Sequence, residues 1–162
     1  IAALPHRRLW LGQTSAFATL AIEIEMGKKR PDLAVLKAQA ALRDLPLARG
    51  LAHQYADVLI EAKNYSEAEN FLRDQISLYR REAKLQHQLA KAYAAENKQA
   101  LQHLALAEAY ALEGALPAAL QQLEIARAAP DVKYFDHSVI DAREREWKEK
   151  HKEELADEKK SK

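Results

Sequence analysis

Residues Leu106–Pro130 read LAEAYALEGALPAALQQLEIARAAP, with the spacing of two helices joined by one turn. The bulky–small pair Leu106-Ala107 is followed by Tyr110 and Gly114, then by Leu116, Ala119, Leu123 and Ala126 at steps of three and four. Such steps gather apolar side chains on one helical face. Gly114 suits a helix C-terminus, where the chain must turn left-handed. Pro130 ends the second helix, because its ring cannot continue the backbone ladder. Alanines let the two helices approach closely, and the larger residues fill the space between them.

The same template recurs upstream. Tyr55-Ala56, Leu59, Asn64-Tyr65, Ala68 and Leu72 hold equivalent positions. An antiparallel helix pair recurring at a period of about 34 residues resembles the tetratricopeptide repeat. One such period back from Ala68 lies Ala34, with Ala38, Ala41 and Pro46 after it. One period forward from Ala56 lies Ala90, inside Leu89-Ala90-x-x-Tyr93. One period back from Ala56 lies Ile22, a bulky residue in place of the small one. From Ala90 to Ala107 the step is only half a period. The segment 98–113 therefore reads both as the second helix of one pair and as the first of the next.

These patterns predict an all-α tetratricopeptide-repeat α-solenoid of about eight antiparallel helices with a long C-terminal capping helix. The expected helices span 6–26, 31–45, 48–62, 66–80, 83–95, 98–113, 116–129 and 134–158. Pro31 fits a first helical position, Ser66 with Glu69 has capping-box spacing, and Pro46 marks a turn. No linker interrupts the chain, so residues 1–143 read as one repeat superhelix. Residues 144–162 read as a charged helix end or frayed tail. From Asp141 to Lys162 there are 8 acids and 8 bases, so most positions are charged and the charges balance. Phe135, Val139 and Ile140 are expected to pack on the preceding helices, with Trp147 as the last anchor.

Composition supports this reading. Alanine and leucine number 32 and 23 of 162 residues, whereas Val, Ile and Thr total 13, too few for a sizeable sheet. With only 4 glycines, a glycine-rich phosphate loop is excluded. Lys+Arg number 25 against 24 Asp+Glu, a net charge of +1, so there is no cationic surplus for nucleic acid. Without cysteine there is no disulfide, no thiolate metal ligand and no Cys nucleophile. No run of 18 apolar residues is present to span a membrane. The sequence opens on Ile1 rather than Met, and reads as part of a longer protein.

Catalytic patterns are missing. The histidines are His6, His53, His87, His103, His137 and His151; no two lie three or four positions apart, as ligands sharing a helical face would. His87 and His103 are the pair that adjacent helices could bring together. No serine sits in G-x-S-x-G. Neighbouring acids such as Glu23 and Glu25, or Glu153 and Glu154, are ordinary on helices this charged. A histidine–carboxylate enzyme site is thus the least supported reading.

Surface remains as the source of function. The first helix of each pair is expected to line a groove for an extended peptide. Its exposed positions fall at His53, Asp57 and Ile60, then at Lys84, His87 and Lys91, then at Leu104, Glu108 and Ala111. The half-repeat shift can turn the third group to the opposite side. Lys84 and Lys91 would offer at best a partial clamp for a C-terminal carboxylate, as in a free-standing scaffold or co-chaperone.

The C-terminal half carries a narrower resemblance. The run His103–Arg127, HLALAEAYALEGALPAALQQLEIAR, is followed by Tyr134-Phe135-x-x-Ser138-Val139-Ile140-Asp141-Ala142-Arg143 and preceded by Leu89–Ala100, LAKAYAAENKQA. Over roughly 83–143 this resembles the periplasmic zinc metalloproteases of Gram-negative bacteria, of the β-barrel assembly-enhancing type. Their H-E-x-x-H peptidase domain is followed by a C-terminal tetratricopeptide domain. The resemblance implies a non-catalytic domain that docks outer-membrane proteins or their assembly machinery in the periplasm. Zinc would belong to the peptidase domain. No H-E-x-x-H occurs in this sequence, so no catalytic or metal residue carries over, and no cofactor is expected.

Overall fold

A computed structural model describes residues 6–160, with side chains from Thr14 onward except those of residues 158 and 159. Eight helices follow one another: α1 His6–Gly27, α2 Pro31–Asp44, α3 Arg49–Glu61, α4 Tyr65–Leu78, α5 Ala83–Ala95, α6 Gln99–Leu112, α7 Leu116–Ala128 and α8 Tyr134–Lys160. Among the described residues there is no strand. Pro31 opens α2, and Pro46 and Pro130 lie in turns, as expected. One local expectation is corrected: α4 begins at Tyr65, ahead of Ser66, so Ser66 is not its N-cap.

The period is written into the turns. Lys29, Lys63 and Asn97 have φ of 55°, 62° and 58°, and Gly114 has φ of 80°. The first three stand one full period apart, and the fourth follows after half a period. Just after each, an N–H reaches back to a carbonyl five positions earlier: Arg30 to Glu25, Asn64 to Leu59, Lys98 to Tyr93 and Ala115 to Tyr110, all at 2.9–3.0 Å. These are Schellman closures, which satisfy carbonyls the helix end would otherwise leave bare. The next helix starts from the same residue. Ala34, Ala68, Gln102 and Ala119 donate to the carbonyls of Arg30, Asn64, Lys98 and Ala115. A tetratricopeptide-type helical repeat, with the half-period step at α6, is thus built into the backbone.

The chain forms two compact units, Ile1–Ala68 and Glu69–Lys162, and the division falls inside α4. In the first, α2 packs on both α1 and α3, and α1 also meets α3. The small positions Ala34, Ala38, Ala56 and Ala68 are fully buried beside Ile22, Leu51 and Leu59. In the second unit α6 packs on α5 and on α7, and α8 packs on α7 and α6. One core joins Ala107, Leu116, Ala119, Leu123, Ala126, Ile140 and Trp147. Trp147 is therefore the anchor that the sequence indicated. Phe135 corrects the expectation: Asp136, Ile140 and Trp147 share the buried face of α8, and Phe135 falls beside that face and is largely exposed. Beyond Trp147, α8 is solvated and carries Lys148–Glu144, Lys152–Glu149 and Lys160–Asp157 pairs at i,i+3 and i,i+4 spacing. Residues 161–162 of the expected tail lie outside the described residues.

A buried acid fastens the first hairpin. The Glu25 carboxylate accepts a hydrogen bond from Lys37 Nζ of α2 at 2.6 Å and pairs with Arg30 Nη2 of the turn at 2.6 Å. The Lys37 hydrogen bond outweighs burial and holds the carboxyl below its ordinary value. A depressed carboxylate stabilises the fold above its unfolded pKa and loses that contribution as pH falls through the folded pKa. Acid titration of wild type should therefore show stability falling below the ordinary carboxylate range, and Glu25→Gln should flatten that limb; equal pH slopes would contradict the assignment. The turns are testable by substitution. A non-glycine residue in the left-handed region costs about 1 kcal/mol, so Lys63→Gly should raise unfolding free energy by about that much, and Gly114→Ala should lower it. Urea denaturation measures both.

Candidate functional site

The second unit carries a cleft of about 270 Å³. Its lining comes from four helices: Arg73 and Ile76 of α4, Leu89 and Tyr93 of α5, Leu104 and Glu108 of α6, and Val139 of α8, among others. The geometry follows from helical spacing. Gln86, Leu89 and Tyr93 share one face of α5 at steps of three and four, and Leu101, Leu104, Ala105 and Glu108 share one face of α6. The floor is apolar, and charge is confined to the edges.

Each edge is held by ion pairs. On one side, Arg73 donates to the Tyr93 hydroxyl from Nη2 at 2.9 Å and pairs with Glu69 at 2.9 Å. Lys98 Nζ reaches Glu69 at 3.0 Å and stands 5.6 Å from the Tyr93 ring centre, a cation–π distance. Burial pushes the Tyr93 phenol up, and the Arg73 guanidinium pulls partly against it. The hydroxyl therefore stays protonated at neutral pH and works as a hydrogen-bonding post. On the other side, Arg143 Nε donates to Glu108 at 2.6 Å, and its guanidinium lies 5.9 Å from the Trp147 ring. Such edges hold a fixed shape and leave the apolar floor as the part able to gain by being covered.

The residues proposed from the sequence do not share one surface. Leu104 and Glu108 line the cleft. Lys84, His87 and Lys91 lie on the same helix as Leu89 and Tyr93, but at 100° per residue their mean direction is about 170° away. They therefore face the opposite side of α5. His87 is engaged there: Nε2 meets Glu113 Oε1 at 2.8 Å, and its ring stands edge-on to Tyr110 at 5.9 Å. Lys84 and Lys91 are not buried, and they stand two turns or about 10 Å apart along the axis. In the first unit His53 and Ile60 are buried and Asp57 is half-buried, so the exposure expected of His53 and Ile60 is corrected. Ala111 is half-buried and packs against the core that α6, α7 and α8 share. The cleft residues Arg73, Ile76 and Val139 were missed, because only the packing of α4 and α8 reveals them.

His103 Nδ1 meets Gln122 Oε1 at 2.7 Å, so His87 and His103 take different partners. The His6 side chain lies outside the described residues. Among the described residues no three His, Cys, Asp or Glu side chains are grouped to hold a metal ion. Among the described residues no helix is long and apolar enough to cross a membrane.

No protein-family description matches this chain. No curated protein matches it. Among solved structures it is similar to a thermophilic TPR protein in Thermus thermophilus, with 18% identity, a TM-score of 0.46, and coverage of 72% of this chain and 75% of that one. The cleft wall itself can be tested. Tyr93→Phe removes the acceptor of Arg73 and should cost about 1 kcal/mol of stability in urea denaturation; an unchanged midpoint would show that this hydrogen bond contributes nothing.

Proposed function

We propose that this chain is a non-catalytic protein-interaction domain that takes up a peptide segment in the cleft of its second unit. One observation carries the reading: an apolar floor at Ile76, Leu89, Leu104 and Val139 is framed by edges whose charges are already paired. A partner that inserts a bulky apolar side chain gains by burying the floor, without having to break those pairs. The cleft volume suits one or two such side chains. A groove between helices is also a recurrent way to hold a peptide.

The narrower form of the proposal follows the resemblance over residues 83–143. The domain would belong to a periplasmic zinc metalloprotease of the β-barrel assembly-enhancing type and would dock outer-membrane proteins or their assembly machinery. All zinc chemistry would lie in the peptidase domain. Sequencing the coding region on the 5′ side of Ile1 tests this: an H-E-x-x-H is expected, and its absence removes the protease. The second reading, a free-standing scaffold or co-chaperone, rests on Lys84 and Lys91 at the surface of α5. Peptides with free and amidated C-termini separate the two. Cleft binding is indifferent to amidation, whereas a carboxylate clamp is lost.

The cleft is tested by mutation. Leu104→Glu places a charge on the floor and should weaken binding of apolar-anchored peptides at least tenfold in fluorescence anisotropy. Lys84→Ala with Lys91→Ala, on the opposite face of α5, should leave affinity unchanged. The reverse pattern would move the site to the other side of the helix.

A further inference from the structure

The first helix pair leaves an apolar stripe uncovered. Phe17, Leu20 and Ile24 lie at steps of three and four on α1 and are 72%, 52% and 44% exposed. The period supplies an internal control. One period on stand Leu51, Gln54 and Val58 of α3; a second period on stand Leu85, Gln88 and Ala92 of α5. Leu51, Val58, Leu85, Gln88 and Ala92 are all buried, and Gln54 is half-buried. The same repeat positions are thus sealed in the later first helices and open in α1.

The difference has an identifiable source. α3 packs against both α2 and α1, the helices that precede it in the chain, and the Gln54 amide nitrogen of its stripe donates to the Thr19 carbonyl of α1 at 3.2 Å, whereas no described helix precedes α1. The stripe of α1 corresponds to the surface of α3 that faces the helix pair before it. Leu33 and Leu36 of α2 deepen the contrast, since they are exposed where α4, one period on, carries Glu67 and Asn70. Repeat arrays ordinarily end on a polar face. The stretch of α8 beyond Trp147 has such a face, whereas the Phe17, Leu20 and Ile24 face of α1 does not.

We propose that this stripe is an unfilled inter-repeat interface, covered in the working protein by a further helix pair of the same repeat type standing before α1 in the polypeptide. Two observations favour that occupant over a second copy of the chain. The three side chains expose on the order of 300 Å², against about 800 Å² per partner in a stable dimer. And in this chain both helices that pack on α3, α1 and α2, come from upstream.

The 162 residues contain no cysteine, so within them a single introduced thiol reports on the stripe alone. Leu20→Cys is labelled with maleimide in the 162-residue chain and in the complete product of the gene, with Glu61→Cys on exposed α3 surface as the control. The Leu20→Cys thiol should react at least tenfold more slowly in the complete product, while the control reacts equally in both. Backbone hydrogen exchange of α1 in the unmutated proteins gives a second readout and should slow in parallel. Equal labelling of the Leu20→Cys thiol in both proteins overturns the proposal, as does a reading frame with no helix upstream. Labelling in the 162-residue chain that slows with protein concentration overturns it in favour of a second copy. Slowing that needs an added protein overturns it in favour of a separate partner. None of these outcomes touches the cleft, which the Leu104→Glu measurement addresses separately.

Discussion

Everything in this fold depends on how closely two helices can approach at an alanine. Helices whose buried faces carry Ala34 and Ala38 on α2, Ala56 on α3 and Ala68 on α4 bring their backbones together and leave Ile22, Leu51 and Leu59 to fill the space around them. A larger side chain at such a point would push the pair apart and expose neighbouring leucines, so the alanines act as distance constraints. The turns serve the same end. A left-handed residue followed by a reach-back hydrogen bond reverses the chain within a few residues, which keeps consecutive helices antiparallel and adjacent.

α6 shows how far that constraint reaches. Its alanines are buried at Ala100, Ala105, Ala107 and Ala109, so small residues face more than one neighbour. Like α2, which packs on α1 and α3, α6 packs on the helix before it and the helix after it, α5 and α7. The half-period step from Asn97 to Gly114 is the backbone mark of the same event.

Most of the fold was legible because it rests on local spacing. Helix ends, the period and the half-period step all follow from residues a few positions apart, and they agree closely with the described helices at most ends. Ser66 misled because the Asn64 closure starts α4 earlier than a hydroxyl cap would. Phe135 misled because a helix of unknown rotation offers several faces, and only tertiary packing selects Ile140 and Trp147. The site was less legible for the same reason. Leu104 and Glu108 do line the cleft, but Lys84, His87 and Lys91 belong to the far side of α5. Choosing between the sides requires knowing where α4 and α8 lie. His53 and Ile60 show the remaining gap, since exposure cannot be assigned from a register whose neighbours are unknown.

The order of packing has a consequence for how the molecule comes into being. Helices meet chiefly their immediate neighbours in sequence, α1 with α2, α2 with α3, α5 with α6, α6 with α7 and α7 with α8. A chain with such local pairings closes only short loops, and this favours rapid folding. As it leaves the ribosome, each helix finds its partner already waiting or only a turn away, so assembly advances from one end at the pace of translation. Trp147 arrives last, and its burial on α6 and α7 closes the second core only after the whole pair before it has been made.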